Sequence, residues 1–262
     1  MKNKYIGIIT VRLSSSRLPQ KALLPLAGKR VIDHVIERAK LSLNGGLSHV
    51  VVCTSVEPED DLLEKIAQEH KVDCFRGSLS DKIDRWRGAA EKFNADYIVT
   101  IDGDDLFCDP ELISLAIAQI EKSGADIVTA DTPEYACGAF THAISTAAIK
   151  KICEVKNTSN TEMTKPYLIE SGLFKVELLE TDAVFKDPKV RLTLDYPEDY
   201  DFFKKVFEEM KMENNVVPLC DILHFLNARP DVVAINFSRQ QDFAQNQKRL
   251  EKLELKENHD TE

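Results

Sequence analysis

Hydrophobic and polar positions along this chain fall into two alternating rhythms. YIGIIT, residues 5–10, is a short apolar run that ends in a polar loop, as a strand buried on both faces does. GKRVIDHVIERAKLSL follows, with Val31, Ile32, Val35 and Ile36 at the spacing of an amphipathic helix. HVVVCTS (49–55) predicts a second buried strand, EPEDDLLEKIAQEHK (57–71) a helix whose acidic first turn suits its dipole, and VDCFRG a third short strand. The rhythm continues with a helix at about 81–93, a strand over 96–102, a helix over 110–124 and a strand over 125–130. Alternating βα units of this length predict one α/β domain over 1–240, built on a mostly parallel, doubly wound, Rossmann-like sheet. Ligands are expected at the carboxyl ends of its strands.

From about 131 to 190 the rhythm changes. THAISTAAIKKICE has helical spacing, TEMTKPYLIES carries a proline that interrupts any helix, and LFKVELLE alternates as a half-exposed strand does. This segment reads as an inserted lobe with antiparallel elements. VRLTLD (190–195) predicts a returning strand, YPEDYDFFKKVFEEM a helix with Pro197 in its first turn, and LCDILHFLNARPDVVAIN the closing element. Residues 241–262 are polar and charged, the pattern of a C-terminal tail that is an exposed helix or frays.

The 262 residues are 43% hydrophobic and 30% charged, ordinary for a globular protein with its own core. A formal charge of −10 argues against a general electrostatic grip on nucleic acid or anionic lipid, so any anionic ligand must be held locally. Six scattered cysteines without a C-x-x-C pair read as small core residues in a reducing compartment. With no signal-peptide pattern and no run of membrane-spanning length, a cytoplasmic protein is expected.

Against that acidic background the stretch ITVRLSSSRLPQK concentrates Arg12, Arg17 and Lys21 around Ser14, Ser15 and Ser16 just after the first strand. A post-strand loop offers backbone N–H groups and long cations together, which a phosphate chain needs. The plain alternative is a basic surface loop; neither a Walker A loop nor G-x-G-x-x-G is present. IDGDD places Asp102, Asp104 and Asp105 at another strand end, where carboxylates bind a hard divalent cation or merely cap a turn. Asp195, in RLTLDYPEDYD, is either a third strand-end acid or a helix N-cap. Trp86 reads as packed on a helix face, the histidines lack metal-ligand spacing, and no G-x-S-x-G nucleophile elbow occurs.

Taken in order, VRLSSSRLPQKALLPLAGK, VVVCTS, FRGSLSDKIDR, IDGDDLFCDPELI, GADIVTA and VRLTLDYPEDYDFF resemble successive segments of the sugar cytidylyltransferases, the group of CMP-Kdo synthetase, CMP-sialic acid synthetase and the SpsF-like proteins. The resemblance covers roughly residues 5–207 and implies a nucleotidyltransferase-type sheet. It implies that Arg12, Ser15, Arg17 and Lys21 contact a triphosphate, with Ser14 and Ser16 beside them, and that Asp104 and Asp195 hold Mg²⁺. Thr54, Ser55, Arg76, Asp84 and Arg85 fall in blocks near the nucleotide or sugar. Ser14 and Gln20 stand where the family has glycine, and Met163 where it has histidine, which leaves the acceptor open.

The implied reaction joins CTP to an acidic sugar, giving a CMP-sugar and pyrophosphate for cell-surface polysaccharide or lipopolysaccharide. The 131–190 lobe would serve acceptor binding and homodimer formation. Two alternatives share the residues: a nucleotidyltransferase for another nucleotide or a sugar 1-phosphate or phosphonate, and a GT-A glycosyltransferase using Asp102-Gly103-Asp104 as a D-x-D motif.

Overall fold

The computed structural model describes residues 3–15, 17–213 and 215–256. The chain runs through β1 (Tyr5–Thr10), a small hairpin of β2 (Pro25–Leu26) and β3 (Lys29–Arg30), α1 (Val31–Leu41), β4 (Leu47–Ser55), α2 (Asp61–Glu69) and β5 (Asp73–Gly77). It continues through α3 (Lys82–Lys92), β6 (Tyr97–Asp102), α4 (Pro110–Ser123), β7 (Ile127–Thr129), β8 (His142–Ser145), α5 (Thr146–Val155), α6 (Lys165–Leu168) and β9 (Val176–Leu178). Four helices close it: α7 (Pro197–Glu209), α8 (Leu219–Ala228), α9 (Pro230–Phe237) and α10 (Arg239–Leu250).

Seven strands form one mixed sheet in the order β5-β4-β1-β6-β8-β7-β9. β1 is central and parallel to β4 and β6, and β4 is parallel to β5. Alternation along β1 shows why the sheet is wound on both faces. Tyr5 and Ile9 enter a core shared with α1, α2, α4 and α7, whereas Ile6 and Ile8 face a second core made with α3 and α5. The α/β, mostly parallel reading therefore holds, and each predicted strand up to residue 130 is found.

The second half departs from the sequence reading in three places. The antiparallel pairing expected over 131–190 is found, but within the main sheet: β8 is antiparallel to both β6 and β7, with β9 parallel to β7 at the edge. THAISTAAIKKICE begins as strand β8; Ser145 accepts a hydrogen bond from the Ala148 backbone N–H at 3.1 Å and starts the helix only there. VRLTLD is not a sheet strand. It is an extended segment with a single bridge, Arg191 to Cys137, docked by Leu192 N–H on Cys137 O at 2.7 Å and Leu194 N–H on Asp104 O at 3.0 Å. Of the two forms expected for the polar C-terminus, the exposed helix is found: α10 extends to Leu250, and beyond it Leu255 bridges to Lys156. Among the described residues no helix is long and apolar enough to cross a membrane.

Candidate active site

Parallel pairing puts Thr10 opposite both Cys53 and Asp102, so the carboxyl ends of β1, β4 and β6 open on one edge. Gly103 lets the loops after β1 and β6 cross closely. Its N–H donates to Thr10 O at 2.9 Å, and a Cβ there would come within 2.6 Å of Val11 Cβ. The loop after β1 is pinned from the other side. Asp60 accepts from the Leu13 N–H at 2.8 Å with one oxygen and from the Ser55 N–H and hydroxyl with the other. Gln20, at the end of this loop, has φ of +52°, the left-handed region that favours glycine.

A cleft of about 1190 Å³ lies over this edge. On its floor the Lys21 ammonium touches Asp104 and lies 2.8 Å from Asp195 Oδ1, which Arg17 also reaches at 2.5 Å. Arg191 approaches the other Asp195 oxygen at 3.4 Å. Behind it, Asp199 accepts from Arg191 Nε at 2.8 Å and from the backbone N–H groups of Asp195 and Tyr196, both at 2.9 Å. Arg191 and Asp199 are fully buried, so this pair sets the position of Asp195 from inside the protein. Arg12 is held at the cleft wall by Glu162, 2.8 Å away, and by Leu79 O.

The environments of the acids differ. Burial raises Asp104 against the pull of Lys21, and Asp195 and Asp102 raise it further. Asp195 is buried too, yet Lys21, Arg17 and Arg191 together hold it below the usual carboxylate range. Asp105 is pushed well above that range by burial and then by Asp104 and Asp102. Burial opposes the charge on Lys21, and Asp104 and Asp195 overcome it and raise its pKa. Oxygens of Asp104 and Asp195 converge on one ammonium, so the donor pair that would take a hard divalent cation already holds a positive charge. Among the described residues no group of three or more metal-ligating side chains occurs. Two carboxylates fit an ion such as Mg²⁺, which completes its shell with water and substrate phosphates.

Of the residues singled out by sequence, Arg12, Ser14, Ser15, Arg17, Lys21, Arg85, Asp104 and Asp195 line the cleft, and Ser16 lies outside the described residues. Four others are not brought there. Thr54 is buried in β4, Ser55 binds Asp60, Arg76 pairs with Asp61 at 2.6 Å, and Asp84 pairs with Arg87 at 2.8 Å on the outer face of α3. Asp81 caps α3 through the Asp84 N–H, a phase that turns Arg85 inward, where its guanidinium donates to Ser78 O at 2.5 Å. Trp86 is buried with Nε1 donating to Thr10 Oγ1 at 2.9 Å, in keeping with a packing role. Asp60, Glu162, Asp199 and the α10 wall of the cleft escaped the sequence reading. For Asp199 the P-E-D turn after Asp195 held a signal, and for α10 the polar composition held none.

Three comparisons bear on this cleft. A family model described as cytidylyltransferase matches residues 6–218. The spore coat polysaccharide biosynthesis protein SpsF of Bacillus subtilis is 29% identical over 232 residues, spanning 87% of this chain and 96% of its own, and an uncharacterised protein of Methanocaldococcus jannaschii is 31% identical over 235 residues, spanning 89% and 94%. The structure of a cytidylyltransferase from Leptospira borgpetersenii superimposes with a TM-score of 0.80 at 26% identity, covering 88% of this chain and 97% of that one.

Proposed function

The chain belongs to the cytidylyltransferase family, and from that premise we propose that it is a cytoplasmic enzyme that condenses CTP with an acidic sugar, giving a CMP-sugar and pyrophosphate. One observation supports the reading above others: Lys21 and Arg17 meet Asp104 and Asp195 at a single point on the cleft floor. An acceptor hydroxyl attacks the α-phosphorus; its oxygen forms the new P–O bond and its proton passes to solvent, while the bond from the α-phosphorus to the α,β-bridging oxygen breaks and its electron pair leaves on pyrophosphate. Asp104 and Asp195 would hold Mg²⁺, which when bound supplies positive charge beside the α-phosphate. Arg12, Arg17 and Lys21 bind the β- and γ-phosphates and neutralise the charge that grows there as the bond breaks. Lys21 must exchange its carboxylate partners for phosphate oxygens, so substrate binding swaps one set of ion pairs for another.

We propose in addition that the enzyme is a homodimer through residues 131–190. The edge position of β9 supports this, with Leu173 and Leu178 exposed by 44% and 52%. Light scattering at micromolar concentration tests it, and a monomer overturns it.

The experiment for the reaction is pyrophosphate release from CTP, GTP, UTP and ATP, each with Mg²⁺ and a panel of 2-keto sugar acids, sugar 1-phosphates and phosphonates. Release with CTP and a sugar acid is expected. Release only with another nucleotide or acceptor class, or none at all, overturns the reading.

A further inference from the structure

The family match ends at residue 218, yet part of the cleft wall comes from beyond it. α10 has no buried residue and no apolar stripe, so its own core packing does not explain where it lies. It is fixed at both ends instead. At its start Arg239 pairs with Glu198 at 2.7 Å, and Phe243 lies under two guanidinium groups, 4.6 Å from that of Arg191 and 5.9 Å from that of Arg17. Past its end, Asn157 N–H donates to Glu254 O and Lys256 N–H to Val155 O, both at 2.8 Å, which ties the chain to the end of α5. The helix therefore spans the cleft from the α7 side to the α5 side, with Gln240, Phe243, Asn246 and Gln247 along it. Lys248 and Arg249 also line the cleft, and among the described residues neither has a carboxylate within ion-pair distance.

We propose that α10 is part of the substrate site: a lid in which Phe243 holds Arg17 in place and Lys248 and Arg249 give two cations to the phosphate oxygens of a bound nucleoside triphosphate. The identity of that ligand rests on the reading in the preceding subsection. Arg17 links the two halves of the site, since it bonds Asp195 on the floor and packs on Phe243 in the lid. A triphosphate that draws Arg17 away from Asp195 also moves the group on which Phe243 rests.

The test uses the full chain and CTP with Mg²⁺ as the probe. Calorimetry on the wild type and on the double variant Lys248→Ala/Arg249→Ala is expected to show CTP affinity weakened by about tenfold, the scale of charge-assisted contacts at a partly exposed site. Melting temperature should be unchanged. Hydrogen–deuterium exchange over residues 239–250 of the wild type should slow when CTP is added. Affinity within twofold of wild type, or exchange indifferent to saturating CTP, overturns the inference alone. Wild-type protein that binds no CTP overturns the nucleotide reading and this inference together.

Discussion

Lys21 Nζ lies 2.8 Å from Asp195 Oδ1 while also touching Asp104, so the phosphate-loop cation and the two candidate metal acids share one contact point. If Lys21 leaves that point for the β- and γ-phosphates, its removal harms triphosphate binding selectively. Lys21→Ala is expected to weaken CTP binding by about tenfold to a hundredfold, the range for a charge-assisted hydrogen bond, and to leave CMP binding nearly unchanged. Calorimetry with both nucleotides decides; equal losses would remove Lys21 from the phosphates.

Asp104 and Asp195 should be equivalent in turnover and different in stability. Asp104→Asn and Asp195→Asn are each expected to abolish most pyrophosphate release while the protein stays folded. Asp195 balances Lys21, Arg17 and Arg191, whereas burial and acidic neighbours already disfavour the charge on Asp104. Asp195→Asn should therefore cost about 3 kcal/mol, as when one partner leaves a buried ion pair, and Asp104→Asn within about 1 kcal/mol. Urea unfolding at neutral pH separates them, and near-wild-type turnover in either variant sinks the metal assignment.

Asp199 does not line the cleft yet should matter nearly as much. It accepts from Arg191, Asn236 and two backbone N–H groups, one of them that of Asp195 itself. Asp199→Ala strands a buried guanidinium and is expected to destabilise the fold by about 3–5 kcal/mol. A loss below about 1 kcal/mol by urea unfolding would show that this network does not hold Asp195.

The first half of the fold was legible because parallel strands buried on both faces leave apolar runs such as YIGIIT and DYIVTID, each ending in the polar loop that carries chemistry. The partners of those loops were not legible. Arg12, Arg17 and Lys21 have no acid nearby in sequence, and their carboxylates, Glu162, Asp195 and Asp104, arrive from 83 to 178 residues away. VRLTLD has the alternation of a strand, but its long-range backbone partners are the N–H and C=O of Cys137 and the C=O of Asp104 rather than a sheet. Helix α10 gave no apolar signal because it packs at its two ends and faces the cleft between them.

His142 provides a pH test independent of the reaction. It is fully buried in β8, with Nδ1 2.9 Å from Thr129 Oγ1; burial above all, helped by Lys82 and Lys165 and opposed by Asp131, holds its pKa down to about 4. An unfolded chain takes up the proton near the ordinary histidine value of about 6.5. Between those two pH values the unfolded state binds more protons than the folded one, so stability falls as pH drops through the window and is fully present above it. The contribution lost is on the order of 3 kcal/mol. Carboxylates titrate in the same range, so the comparison is with His142→Gln, which carries no such proton. Urea unfolding of both proteins at pH 7.5 and at pH 4.5 should show the wild type losing more stability than the variant by roughly 2–3 kcal/mol. Equal losses would mean that His142 is protonated in the folded state as readily as in the unfolded chain, and that burial in β8 does not exclude its charge.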